Sequence, residues 1–380
     1  MKKMIIALVG IFAFIAIGLI CLMVVAVNRG GIWFTSGGFY DLELVNEQTT
    51  TLDGIDQITI DYHADDVEFF TSDTDNLILK EYMSFTPDED QLTLITQSGS
   101  KLKLKGRIRD DINWFIHPNR GSRMEIYLPA NYQGAIDAST SSGDIDSSLV
   151  LTLTKLRLSA TSGNLTMNEV TAAQIDFSTS SGNITIAKAE GNREFSATSG
   201  SIEVYGGSGD TSAATSSGDI TIESSTGLLE AEASSGSIVI IDSNGEKELS
   251  TSSGDIEIKD SVGYTKASAS SGMIEADNLA GAGRFETTSG DLRLEFADAP
   301  EEITDDIIVD ASSGTAELTI PSTLQFNFYA DTSSGTINTF FDDKLNFSDN
   351  EHHAEGSVGT APNISLKIET TSGDIEVDRR

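Results

Sequence analysis

With a single cysteine, Cys21, the 380-residue chain can form no internal disulfide and no Cys-rich scaffold. Its four histidines (His63, His117, His352 and His353) have neither metal-ligand spacing nor cysteine partners, so no metal site and no cofactor is expected. Phosphate loops and dinucleotide fingerprints are missing. The G-G-x-G-x-D nonapeptide of calcium-binding β-rolls is missing too, although Gly-Asp pairs recur. The serines of the corners have no neighbouring base, so a nucleophilic dyad is not expected there. Acidic residues are scattered singly rather than gathered as in pectate-lyase-like solenoids. These absences argue against an enzyme, with no catalytic residue to name.

Positive charge is also scarce, at 24 Lys and Arg against 59 Asp and Glu, for a net charge of −35. Residues 1–29 hold three basic residues (Lys2, Lys3, Arg29) and no acid, so the remainder carries 59 acidic against 21 basic residues, a net −38. Such a body as a whole repels nucleic acid and anionic lipid heads, and attracts cations or cationic peptides.

One long apolar run is present. Met4 to Val27 carries no charge, and as a helix it would reach about 36 Å, enough for a hydrocarbon core of about 30 Å. Lys2 and Lys3 precede it, which places the N-terminus in the cytoplasm by the positive-inside rule. A cleaved signal peptide is the rival reading, but its apolar core normally spans only about 7–15 residues. Residues 1–3 thus read as a cytoplasmic stub and 4–27 as a single transmembrane helix. Residues 28–47 read as a Gly-containing stalk, 48–135 as a β-rich cap and 136–380 as repeats with a polar insertion at 340–362. The cell membrane is the expected location, with the repeats outside.

The repeat is a Ser-Gly corner. Its twelve glycines are Gly143, Gly163, Gly182, Gly200, Gly218, Gly236, Gly254, Gly272, Gly290, Gly314, Gly335 and Gly373, with 18-residue spacing six times running. A fixed short period means one unit stacked on itself. Two residues after the glycine stand apolar residues such as Ile184, Ile202, Ile220 and Ile238; five before it stand Phe177, Phe195, Ala213 and Ala231. The apolar parity therefore changes across the corner. The expected fold is all-β, a single-stranded parallel β-solenoid with about 18 residues per coil, although a 36-residue coil with two corners also fits. The corners Gly182, Gly200, Gly218, Gly236, Gly254, Gly272 and Gly290 are expected to be bends with positive φ. The Ser just before each glycine is expected to point inward.

Three before the glycine, Thr and Ala alternate (Thr215, Ala233, Thr251, Ala269), so the duplicated unit reads as 36 residues. Two before it the residue is always Ser or Thr. Thr198, Ser216, Ser234, Ser252, Ser270 and Thr288 would form an outward hydroxyl row at about 4.8 Å spacing, a candidate ligand ladder or simply a soluble edge. The one basic stretch, Lys101, Lys103, Lys105, Arg107 and Arg109, alternates with Leu102 and Leu104. It is a candidate anion contact, for lipid heads, a wall polymer or the protein's own acidic coils.

Serial Thr-Ser-Ser-Gly-Asp-Ile corners, an opening Ile58-Thr59-Ile60-Asp61 strand and the Met124–Pro129 lead-in resemble the bacterial LiaG-type family of β-strand-repeat, adhesin-like proteins of unknown function. The resemblance covers residues 55–380. It implies an envelope protein of Gram-positive type, in some members tied to envelope-stress systems, with no catalytic residue to carry over. The function expected is a non-catalytic binding module, with cell-wall polymer, cationic peptides or other envelope proteins as partners. A structural spacer or self-assembling surface scaffold is the alternative, and a polysaccharide-acting enzyme the more remote one.

Overall fold

Apolar residues at every second position make half-buried strands, and the structure pairs those strands almost wholly in parallel. The computed structural model describes residues 42–106, 121–348 and 351–380. The apolar run 4–27, Arg107 and Arg109 lie outside the described residues. No helix among the described residues is long and apolar enough to cross a membrane.

Ile184 pairs with Ile202, Ile202 with Ile220, Ile220 with Ile238, Ile238 with Ile256 and Ile256 with Ile274. This register advances by the shorter of the two candidate periods, the one that also separates Ser237 from its partner Asp219 in the coil before. The longer, two-corner coil is therefore excluded. All six isoleucines are fully buried. Each such side chain contributes about 1.5–3 kcal/mol when it leaves water, which makes this column a main source of the stack's stability.

The coil has three sides rather than two arms. After Ile220–Glu223 the chain turns at Ser224, runs through the short strand Ser225–Thr226, and turns again at Gly227 before Leu229–Ala233. Ser224, Asp242, Asp260 and Asn278 hold φ of 48 to 57° at the first of these turns. Ser, Asp and Asn are short polar residues, and Asp and Asn in particular tolerate that region. Gly209, Gly227, Gly245, Gly263 and Gly281 hold φ of 107 to 151° at the second. This second glycine series recurs at the same interval as the Ser-Gly corners, so the sequence carries it as plainly.

The Ser-Gly corners differ from expectation. Only Gly314 among the twelve has positive φ, at 140°. At Gly182, Gly200, Gly218, Gly236, Gly254, Gly272 and Gly290, a Cβ would lie closer than 3.0 Å to the carbonyl of the glycine one coil before. Glycine is required by the approach of two backbones, not by a special dihedral. The Thr three residues before the corner completes the contact in every second coil. Thr215 Oγ1 donates to Gly200 O at 3.0 Å and Thr251 Oγ1 to Gly236 O at 3.0 Å. The carbonyls served belong to the coils with Ala at that position, which gives the two-coil alternation a physical role.

At both ends the order of coils in space departs from the order in sequence. The first strands are β1 (Glu43–Thr51), β2 (Gln57–Asp61), β3 (Asp66–Ser72), β4 (Asn76–Met83), β5 (Leu94–Ser98), β6 (Lys101–Lys105), β7 (Ser122–Pro129), β8 (Ala135–Thr140) and β9 (Ile145–Ala160). β1 begins at Glu43, inside the range read as stalk. β2 lies between β6 and β8, and β3 between β7 and β9. The last parallel coil is therefore β6 and β7, covered by antiparallel β5 and β4 with β1 beyond β4, and the coil of β2 and β3 is slotted beneath it. At the other end Ser365–Ser372 inserts between Ile307–Ser313 and Phe326–Ser334. The free side of Phe326–Ser334 is then covered by antiparallel His353–Val358, and that strand by Leu345–Ser348. Such covering blunts an edge that would otherwise pair with another chain.

Among the described residues, one arginine and one lysine are buried inside the coils. Arg193 (3% exposed) donates to Ala189 O, Gly209 O and Ser225 Oγ at 3.2, 2.8 and 2.9 Å, and burial lowers its pKa. Lys247 (2% exposed) donates to Gly245 O and Val262 O at 2.8 and 2.7 Å. Burial alone pushes its pKa from 10.5 down to about 8. Both satisfy carbonyls at the second-turn glycines, where the chain bends too sharply to pair all its own groups.

Candidate ligand-binding surface

Thr198, Ser216, Ser234, Ser252, Ser270 and Thr288 are all exposed. The serines just before the glycines, Ser199, Ser217, Ser235, Ser253, Ser271 and Ser289, are exposed as well. Their expected inward direction is thus overturned. The parity changes because two successive residues point outward at the bend. The corner's backbone is satisfied by backbone: Ser217 N–H donates to Thr198 O at 2.9 Å and Ser235 N–H to Ser216 O at 3.0 Å. The hydroxyls are not needed inside, and each coil carries two of them side by side on the corner.

The residue after the glycine has a structural task. Asn164 N–H donates to Asp144 Oδ1 at 2.7 Å, Asn183 N–H to Asn164 Oδ1 at 2.9 Å and Ser201 N–H to Asn183 Oδ1 at 3.0 Å. Ser237 N–H then donates to Asp219 Oδ1 at 2.9 Å. Where this position holds Asp or Asn, its side-chain oxygen ties that coil to the next. Asp219→Ala should cost about 1 kcal/mol, the net worth of one such bond, and a urea titration of the variant measures it.

Toward the C-terminal end the hydroxyl row borders a groove of about 580 Å³, lined among others by Ser270, Thr288, Ser312, Thr371 and Ser333. Two residues before each hydroxyl stand Ser268, Glu286, Asp310, Glu369 and Asp331, which bring four carboxylates into one row. A second row lies outside. Arg284 contacts Glu286 and reaches Asp310 Oδ2 at 2.8 Å; Lys367 reaches Glu369 Oε2 at 2.7 Å; His353 Nδ1 lies 3.3 Å from Asp331 Oδ1. Burial raises the Asp310 pKa, while Arg284 pulls it back. A neighbouring side of the same coils presents a second acidic groove of about 390 Å³, with Glu257, Glu275, Glu317 and Glu376 among its lining residues. In the sequence these acids look scattered, because each lies at least one full coil from the next along the chain. Only the register gathers them.

Lys101 and Lys105 of β6 are exposed and Lys103 is half-buried, 3.1 Å from Asp61. Arg107 and Arg109 lie outside the described residues. One serine does meet a base, contrary to expectation: Ser141 Oγ is 3.0 Å from His63 Nδ1. The sequence separates them by 78 positions, and the coil of β2 and β3 brings His63 beside the corner. The N–H groups of Ser141 and Ser142 both donate to His63 O, so neither is free to hold an oxyanion beside this pair. Among the described residues no group of three or more His, Cys, Asp or Glu could hold a metal ion.

The model of a protein family described as Toastrack DUF4097 matches residues 55–267 and again 229–378. No curated protein matches the chain. Among solved structures, a candidate adhesin from Parabacteroides distasonis ATCC 8503 is 16% identical over 67% of this chain and 98% of its own, with a TM-score of 0.38. A candidate adhesin from Parabacteroides merdae ATCC 43184 is 14% identical over 65% and 95%, with a TM-score of 0.35. A candidate cell adhesion protein from Clostridium sporogenes ATCC 15579 is 10% identical over 88% and 99%, with a TM-score of 0.20.

Proposed function

The chain belongs to the Toastrack DUF4097 family, and from that premise we propose that it is a membrane-anchored, extracytoplasmic binding module without catalytic activity. The anchor is the uncharged run Met4–Val27, with Lys2 and Lys3 on its cytoplasmic side. The observation that carries the binding reading is the gathering of Glu286, Asp310, Glu369 and Asp331 in one groove beside an uncovered row of hydroxyls. A spacer needs neither; charge spread evenly over the coils would serve it as well. The ligand class this surface favours is a cationic peptide, held weakly and over several coils.

Binding should depend on salt, because attraction between exposed charges is screened within about 8 Å at physiological ionic strength. Titration with an oligolysine at low and high salt is the direct test. The combined variant Glu286→Gln, Glu369→Gln and Asp331→Asn should weaken binding by about threefold to a hundredfold, exposed ion pairs being worth roughly 0.2–1 kcal/mol each. Binding indifferent to salt and to the variant would move the contact to the hydroxyls. No binding at low salt would leave the structural spacer as the better account. Protease added to intact cells should remove the repeats, and full protection of them would end the topology proposed.

A further inference from the structure

The outward face that carries the acidic groove at its C-terminal end is basic at the other end. In-register pairing sets Lys101, Lys103 and Lys105 of β6 beside Gln57, Thr59 and Asp61 of β2. These lie beside Ala135, Asp137 and Ser139 of β8, and those beside Lys155, Arg157 and Ser159 of β9. The intervening Leu102, Leu104, Ile58, Ile60, Ile136 and Leu156 are buried, so the lysines and Arg157 project outward. Five cations thus share a patch four coils deep, about 14 Å from the first strand to the last. Lys155 and Arg157 stand far from Lys101–Lys105 in the sequence and join them only through the register. In register with these cations, Asp61 and Asp137 lie in the patch and Asp176 one coil further, with Glu194 beyond it. Asp61 is bound to Lys103 at 3.1 Å and Asp176 to Arg157 at 3.5 Å. Lys101, Lys105 and Lys155 have no ion pair among the described residues. In a chain of net charge −35 this is a local inversion of sign.

Its position adds a second argument. β6 and β7 form the last parallel coil, with β5 paired outside β6, and β1 joins that coil through β4, which pairs with β7. The described chain therefore enters at Leu42, at the basic end. The segment between Val27 and Leu42 is short and spans at most about 50 Å. Resting on the anchored reading above, we propose that this patch docks on anionic phospholipid headgroups. Docking would set the basic end against the bilayer and turn the acidic grooves away from it.

The test uses the full chain with Cys21→Ser and one new cysteine for a fluorophore, either Ser139→Cys in the patch or Ser268→Cys at the far end. The protein is reconstituted into vesicles of phosphatidylcholine, or of phosphatidylcholine with equimolar phosphatidylglycerol, each carrying a headgroup quencher. Quenching of the Ser139 probe is expected only with phosphatidylglycerol, and should fade as salt is raised. The Ser268 probe should stay bright in both. Replacing Lys101, Lys105 and Lys155 together by Gln should lower the docking equilibrium about a hundredfold, at roughly fivefold per lysine near a charged surface. An unchanged melting curve for that variant separates lost docking from lost folding. Equal quenching in both vesicles, or quenching that survives the triple variant, would overturn the proposal. So would protection of the Ser139 probe by a soluble anionic wall polymer in place of lipid. Flotation with phosphatidylcholine vesicles reads the anchor by itself: failure there defeats the anchored reading, while phosphatidylglycerol-selective flotation still decides the patch.

Discussion

Gly218→Val should destabilise the stack by at least about 3 kcal/mol, and Gly218→Ala by nearly as much, while Ser216→Ala changes stability by less than about 0.5 kcal/mol. The Cβ itself is the offender, since it would fall closer than 3.0 Å to the carbonyl of Gly200, a backbone atom that cannot swing aside. A larger side chain adds little to that. Gly54 is the control: its φ is 71°, and a Cβ added there would meet nothing within 4 Å. Gly54→Ala should therefore cost only about 1 kcal/mol, the ordinary penalty for a left-handed residue. Urea midpoints for the four variants measure this. Hydrogen exchange should show lost protection concentrated in the coils flanking residue 218, because each repeat touches mainly its neighbours. Equal costs at Gly218 and Ser216 would overturn the account of the corner.

Lys247 should make the protein more stable as pH rises from about 8 toward 10. The folded state holds its pKa at about 8 against 10.5 for the free side chain. Between those values the unfolded chain binds the extra proton, so stability rises with pH across that window. The full effect of that difference is about 3 kcal/mol. Other groups titrate in the same range, Tyr127 among them, whose pKa desolvation and Glu125 push up to about 12. The comparison that isolates the lysine is therefore wild type against Lys247→Met, followed by denaturant unfolding from pH 7 to 10. The variant should lack the rise. A wild-type curve parallel to the variant's would mean that the ammonium finds water or an anion inside the coil.

Much of the architecture was legible because a solenoid writes its geometry in one short period. Ile202, Ile220 and Ile238 recur at a fixed interval in the chain and stack in the structure. The corner serines misled because parity counting assumes alternation through the bend, whereas Ser216 and Ser217 both point outward. The candidate surface was less legible. Glu286, Asp310, Glu369 and Asp331 look scattered until Ser365–Ser372 is placed between Ile307–Ser313 and Phe326–Ser334, out of chain order.

From the sequence alone follow the all-β class, the repeat spacing, the apolar columns and the glycine at each corner. These depend on local alternation and on a repeat that each coil satisfies with its immediate neighbour. The tertiary structure alone decided why the glycine is needed, how many sides a coil has, and which coil lies at each end. Backbone approach across coils, the left-handed turns at Asp242 and Gly245, and the insertion of one coil between two others are settled by contacts that bring separate coils together. No periodicity records them, and the charged surfaces at the two ends depend on them.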